Sequence, residues 1–251
     1  MAVNSIIDLA SNPIYLKILQ NEATKRGCYV SPSEIFNILD RVAPPLVKAA
    51  PKPEQPLAIF MCGPAGSGKT TIRGPLLEDL RIDDDNIIKA DPDEIIHSFE
   101  QWKGPGRMQC HSASSYILYD ILMPIFAASG YHVVFDTTCR DVGFAEKFMR
   151  LLKKHGYYII MSSVYVSKKT ALKRTEERGR ISGRVVPREL VELIYDQFMK
   201  AAKAYMRTKE IDEIRLFNNE GSSAAMIYHR KDGQVLFKEG KLKFYFSLKD
   251  F

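Results

Sequence analysis

No run of apolar residues in this 251-residue chain approaches the roughly 20 that a helix needs to cross a bilayer. A helical membrane protein is not expected. The amino terminus, Met1-Ala2-Val3-Asn4-Ser5-Ile6-Ile7-Asp8, has no basic residue ahead of its short apolar stretch and reaches Asp8 at once, unlike a secretory leader. Cysteine is scarce, and Cys28, Cys62, Cys110 and Cys139 show neither metal-ligand nor redox spacing. Free thiols in a reducing, cytoplasmic compartment are the expectation. The single tryptophan, Trp102, excludes a row of tryptophan stacking platforms for single-stranded nucleic acid. An Asn-Lys-x-Asp run is absent, which argues against a guanine-selecting switch, and no Asp-Glu pair closes an apolar strand as a motor ATPase would require.

What remains is a globular composition, 45% hydrophobic and 26% charged, of a length that suits one decorated domain or two small ones. The net charge of +6 suits nucleic acid or polyphosphate equally, so clustering has to decide. The densest basic run is Lys168 to Arg180, followed by Arg184. Lys168 and Lys169 read as a solvated face.

The organising stretch is Leu57-Ala58-Ile59-Phe60-Met61-Cys62 followed by Gly63-Pro64-Ala65-Gly66-Ser67-Gly68-Lys69-Thr70-Thr71. An apolar run that reads as a buried strand feeds directly into G-x-x-x-x-G-K-T, the phosphate-binding loop. Its glycines let the backbone aim N–H groups inward at the start of a helix, forming an anion-binding concavity. Lys69 should reach the β- and γ-phosphates of ATP, and the Thr70 hydroxyl should hold Mg²⁺.

Residues 5 to 40 read as helical. Pro44, Pro45, Pro51, Pro53 and Pro56 then predict an extended linker. The division expected is an N-terminal helical extension and linker over 1–55, a docking or regulatory element or simple packing, and a P-loop domain over 56–251 with a lid around 168–187. Strands are expected at 57–62, 86–90, 131–135 and 157–166, alternating with helices at 69–80, 112–128 and 142–155. That alternation predicts an α/β fold, a parallel sheet with helices on both faces. Pro124 is placed to kink the second of these helices. The glycines of 179–187 are expected to interrupt the basic helix as a mobile lid, before a long helix from about Arg188 to Lys209. A strand at 213–217, a hairpin around Asp232-Gly233 and an extended piece at 241–246 complete the chain.

Ligands of such sheets sit at the carboxyl ends of the strands. The second strand ends in Asp91, which suits a general base and equally suits helix capping in Asp91-Pro92-Asp93-Glu94. The third ends in Asp136-Thr137-Thr138-Cys139-Arg140, where Asp136 suits Mg²⁺, substrate or a cap. Arg178, Arg180 and Arg184 suit a lid that stabilises charge on a transferring phosphoryl group.

These ordered motifs, spanning roughly 57 to 220, resemble the zeta toxin group of P-loop kinases, with polynucleotide kinases as close relatives. Gly63 to Thr70 is similar to its ATP loop, Ala90-Asp91 to its catalytic aspartate, and Phe135 to Arg140 to its acidic-x-T-x-R strand end. Arg178-Gly179-Arg180 with Gly183 and Val186-Pro187 is similar to its lid, and Leu216-Phe217-Asn218-Asn219 to its asparagine turn near the adenine. The resemblance implies transfer of the ATP γ-phosphate, with Mg²⁺, to a sugar hydroxyl of a UDP-N-acetylhexosamine. A 5′-hydroxyl polynucleotide and a non-catalytic ATP-binding switch or adaptor stay open as alternatives. It implies Asp91, Lys69, Arg178 and Arg180 as catalytic, the loop with Thr71, Arg184 and Asn218 on the nucleotide, and Asp136, Thr138, Arg140 and Trp102 toward substrate. Thr70 and Asp136 are the candidate Mg²⁺ ligands, and an antitoxin or regulatory protein is a candidate partner. The chain departs from its relatives at Glu192 and Leu193, where many carry arginine, which leaves Arg184 to replace that group. It departs again at Asp136, where glutamate is frequent, and over Trp102 to His111, which matches no sugar-nucleotide pattern.

Overall fold

The computed structural model describes residues 13–99, 107–182 and 186–239. Packing divides the chain into two units, Met1–Pro56 with Ile82–Phe135, and Leu57–Arg81 with Asp136–Phe251.

In the first unit, α1 (Pro13–Lys25) and α2 (Pro32–Val42) supply the helical amino-terminal part that the sequence predicts. A capping box starts α2: the Ser31 hydroxyl accepts from the Glu34 amide, and the Glu34 carboxylate accepts from the Ser31 amide at 2.5 Å. The expected linker is corrected in part. Pro44 and Pro45 open one helical turn, α3 (Pro44–Val47), because a proline in the first turn gives up an N–H that has no helical partner. Leu19, Ile35, Ile38, Ile95, Leu118 and Phe126, at most 2% exposed, form a core shared by these helices and residues 82–135. The Arg41–Glu94 ion pair at 2.7 Å adds a polar tie.

The same unit holds β2's neighbourhood. Strand β1 (Leu57–Cys62) belongs to the second unit, whereas β2 (Ile87–Ala90) leads here into the short α5 (Pro92–Ile96). The helix expected over 112–128 is three pieces: α6 (Arg107–Tyr116), a π-helical stretch Ile117–Leu122, and α7 (Met123–Ser129). Pro124 explains the break. Its ring would crowd the carbonyl four residues back, and the wider turn, in which the Met123 amide reaches back to the Leu118 carbonyl, relieves that clash. Strand β3 (His132–Thr137) pairs parallel with β2, Ile87 opposite His132 and Ala90 opposite Phe135. Its last residues, Asp136 and Thr137, fall in the second unit.

In the second unit, β1 is buried along nearly its whole length, as an inner parallel strand must be. It pairs parallel with β4 (Tyr158–Tyr165), which pairs parallel with β5 (Glu213–Asn218). Parallel neighbours need crossovers, supplied by α4 (Lys69–Asp79), α8 (Val142–Lys154), α9 (Lys168–Ser182) and α10 (Arg188–Tyr205). Antiparallel β6 (Ala225–Lys231) and β7 (Gln234–Lys238) follow β5 as the predicted hairpin. The fold is α/β and mostly parallel. The basic helix is not interrupted at Gly179: α9 runs on to Ser182. Gly183 to Val185, and the extended piece expected at 241–246, lie outside the described residues.

The free-thiol expectation is overturned. Cys28 pairs with Cys110 inside the first unit and Cys62 with Cys139 inside the second, with Cα separations of 5.1 and 5.2 Å. The sequence distances of 82 and 77 residues hid these pairs from any spacing rule. Such bridges persist in oxidising surroundings and open in reducing ones. Among the described residues no helix is long and apolar enough to cross a membrane. Alkylation under denaturing, non-reducing conditions should label no thiol, and labelling after reduction should reach all four cysteines. By chain entropy each bridge is worth about 4 kcal/mol, so Cys28→Ser should lower the melting temperature clearly. Four labelled thiols without reductant would exclude both bridges.

Candidate functional site

Strand β1 delivers the chain to Gly63 beside β4, and the loop that follows is packed tightly on its outer side. A Cβ on Gly63 would lie 2.8 Å from the Val164 carbonyl, and one on Gly66 would lie 2.5 Å from the Ala171 carbonyl on α9. One on Gly68 would lie 2.1 Å from the Asn219 side-chain amide. All three have positive φ, +154°, +76° and +88°. Glycine is therefore required twice over, for the left-handed turn and for the close approach. Gly68 also stands as N-cap of α4, so the positive end of that helix opens onto the loop.

The loop also holds a buried polar group and a mostly buried charge. The Ser67 hydroxyl is fully buried without a hydrogen-bond partner among the described residues. Lys69 folds back, its ammonium donating to the Gly63 carbonyl at 3.0 Å, and it lies 3.8 Å from an Asp136 carboxylate oxygen. Both side chains are 14% exposed. A buried ammonium and a helix N-terminus beside a glycine loop whose outer side is covered fit a polyphosphate. The residues therefore fit the phosphates of a nucleotide. Thr70 is exposed at the first turn of α4, and Asp136 lies at the mouth of the same loop through Lys69. Two hard oxygen donors are what a phosphate-bound Mg²⁺ asks of a protein, since it keeps waters and phosphate oxygens for its other positions. Among the described residues no cluster of three or more His, Cys, Asp or Glu could hold a metal without them.

Two further residues lock the loop: Asn219, which the sequence reading placed only in the asparagine turn near the adenine, and Glu220. Asn219 is 7% exposed, and its side chain donates to the Ser67 carbonyl at 2.8 Å. Its own carbonyl accepts from Arg174 of α9 at 3.0 Å. Asn218, the residue expected at the nucleotide, instead accepts from the Glu220 amide at 3.1 Å through its side chain. Glu220 then caps the start of α9: its carboxylate accepts from the Ser167 amide at 2.6 Å, the Ser167 hydroxyl at 2.8 Å and the Thr170 hydroxyl. Partial burial pushes its pKa up, but these bonds and the nearby Arg174 outweigh that and hold it below the ordinary glutamate value. An Asn-Asn-Glu turn after a terminal strand was the available signal. Its direction could not be read from sequence.

The other expected site residues are placed as follows. In the first unit Asp91 caps α5, one oxygen accepting from the Asp93 amide at 2.8 Å, and it is partly buried. His111 of α6 approaches Asp93 at 4.0 Å. In the second unit Thr138 is partly buried and Arg140 exposed, on either side of Cys139, whose φ of +49° turns the chain sharply. Arg178 and Arg180 are exposed on the last turns of α9. Glu192, one of the two positions that depart from arginine, pairs with Arg188 at 3.0 Å. Trp102 and Arg184 lie outside the described residues.

The family model described as "Zeta toxin" matches residues 46–233, well over half of the chain. Two curated relatives named "Toxin zeta", from Streptococcus pyogenes and Enterococcus hirae, are each 23% identical over 190 residues. Those alignments take in 70% of this chain and 65% of theirs, so the chain spans just under two thirds of the curated relatives it matches. Among solved structures, one from the PezAT chromosomal toxin-antitoxin system of Streptococcus pneumoniae superposes with a TM-score of 0.62 at 19% identity, covering 80% of this chain and 82% of that one. One of AvrRxo1-ORF1:-ORF2 with ATP gives 0.63 at 14% identity, covering 97% of this chain and 73% of that one. At such identities these likenesses speak for the fold, while the family rests on the matched model: the chain belongs to the zeta toxin family.

Proposed function

We propose that the protein is an ATP-dependent kinase that transfers the γ-phosphate to a substrate hydroxyl, with a nucleotide sugar such as UDP-N-acetylglucosamine as acceptor. The observation that carries it is the loop itself: glycines packed so closely on one side that no Cβ fits, a helix N-terminus at Gly68 and an ammonium held 3.8 Å from a carboxylate. The ATP named for the AvrRxo1-ORF1:-ORF2 structure supports the same nucleotide here. The family's toxins supply the acceptor class. The toxin-antitoxin system named for the Streptococcus pneumoniae structure supports an antitoxin-type protein partner.

When bound, ATP supplies the γ-phosphoryl group and Mg²⁺ neutralises charge on the phosphate oxygens. Lys69 exchanges its bond to the Gly63 carbonyl for phosphate oxygens, and Asp136 keeps its ammonium oriented. Thr70 and Asp136 would hold the metal. Asp91 takes the proton of the acceptor hydroxyl as its oxygen bonds to the γ-phosphorus and the bond to the bridging oxygen breaks. Capping does not conflict with this, because a carboxylate has two oxygens and the Asp93 amide engages one of them. Thr138 and Arg140 stand toward the acceptor.

The helix period separates the two lid arginines. At about 100° per residue Arg178 lies roughly 20° around α9 from Ala171, the residue packed on Gly66, whereas Arg180 lies about 180° away. Arg178 is thus on the loop face, with Thr175 and Arg174 beside it. We assign the charge-stabilising role to Arg178, and place Arg180 on the opposite face of the helix.

The deciding experiment offers labelled ATP with UDP-N-acetylglucosamine, with a 5′-hydroxyl oligonucleotide, and with water alone. Label should appear on the sugar nucleotide. Label only on the oligonucleotide would assign a polynucleotide kinase, and equal phosphate release in all three tubes would assign a switch or adaptor. Asp91→Asn should lower turnover by about 10² to 10⁴ with ATP still bound. Collapse of ATP affinity would instead make Asp91 structural or metal-binding. Arg178→Ala should cut turnover by roughly 10²-fold or more, and Arg180→Ala by much less, with ATP affinity changed little in either. Equal losses would show that the helix face does not separate them.

A further inference from the structure

The planar trans peptide puts a carbonyl and the N–H of the following residue on opposite sides of one rigid unit, and no cis bond occurs among the described residues. Asn219 holds the Ser67 carbonyl from one side at 2.8 Å, so the Gly68 N–H in the same plane is turned to the other side. Gly68 is the N-cap of α4 and lies directly before Lys69. Its N–H belongs to the group of donors that a nucleotide phosphate meets at such a loop.

Asn219 is itself held at its backbone N–H, its backbone carbonyl and its side-chain nitrogen. Its amide donates to the Tyr165 carbonyl at 2.9 Å, its carbonyl accepts from Arg174, and its side chain reaches Ser67. Glu220 next to it ties down the first turn of α9 through Ser167 and Thr170. The same helix covers Gly66 at Ala171 and Thr175. The turn after β5 therefore grips the phosphate loop directly through one side chain and indirectly through the helix that carries Arg178.

We propose that Asn219 is a positioning residue for the phosphate loop: its side-chain amide orients the Ser67–Gly68 peptide toward the β-phosphate of the nucleotide, and Arg174 holds Asn219 in place. It touches no part of the nucleotide. This differs from a role at the adenine, which the Asn218-Asn219 turn would otherwise suggest, and it rests on the reading of the loop as a nucleotide site.

The test is equilibrium binding of ADP and of adenosine to the full chain, since adenosine carries the base and sugar without reaching the phosphate donors. Loss of one well-placed hydrogen bond corresponds to about a tenfold change. Asn219→Ala and Asn219→Asp should each weaken ADP about tenfold and leave adenosine within about twofold. Aspartate keeps the shape but cannot donate. Arg174→Gln, on the partly exposed side of the contact, should weaken ADP about threefold with adenosine again unchanged, and it serves where an Asn219 variant fails to fold. Equal loss for ADP and adenosine would place Asn219 on the base and overturn the proposal. Unchanged ADP binding in folded variants would overturn it as well. A wild-type chain that binds no ADP would overturn the nucleotide reading together with it, so the two failures are distinguishable by that control.

Discussion

A loop that binds phosphate through its backbone must turn its N–H groups inward, and the carbonyls then face outward and need partners of their own. Here that outward requirement shapes the second unit. The Ser67 carbonyl is taken by Asn219, and the backbone at Gly63 and Gly66 lies against the Val164 and Ala171 carbonyls so closely that no side chain fits between. Because β4 supplies Val164 and leads directly into α9, and β5 ends at the turn carrying Asn219, the loop's covering comes from the two strands following it in the sheet order β1, β4, β5. The parallel register is thus part of the site.

The polar inner side is the counterpart. A buried hydroxyl without a partner costs on the order of 1–3 kcal/mol, and a mostly buried ammonium needs a carboxylate or carbonyls to stay charged. Ser67 bears that cost, and Lys69 avoids it by bending onto the Gly63 carbonyl and lying near Asp136. An anion that accepts from Lys69 would take the place of the Gly63 carbonyl as partner of its ammonium.

Much of this was legible from sequence, and the failures have physical causes. The apolar run 57–62 and the glycines after it could only be a buried strand and a phosphate loop, since both periodicity and backbone freedom point there. The strand ends at Asp91 and Asp136 were equally plain. Cysteine pairing was not, because partners 82 and 77 residues apart meet only through tertiary packing. Gly179 was read as a helix breaker on its intrinsic cost of about 1 kcal/mol, yet α9 passes through it, since a single glycine is a cost a packed helix absorbs. Asn218 and Asn219 could not be told apart, because adjacent residues on a strand exit point to opposite sides and the sequence does not say which side faces the loop.

The same reasoning bears on how a lid can move in this fold. The base of α9 is anchored three ways, by Glu220 at its first turn, by Arg174 on the Asn219 carbonyl, and by the Tyr195 hydroxyl of α10 on the Val166 carbonyl at 3.0 Å. Glu220 stays ionised near neutral pH because its pKa is held down, so this anchor is complete there and weakens only as pH falls through that lowered value. Beyond Arg174 the exposed residues dominate, ending in Ile181 at 89% exposure. A helix fixed at one end and open at the other pivots near its last fixed contact. If Arg178 has the role proposed for it, motion of the carboxyl end of α9 would move that side chain while Ala171 and Asn219 keep the loop unchanged, and charge delivery would then be separable from nucleotide binding within one continuous helix.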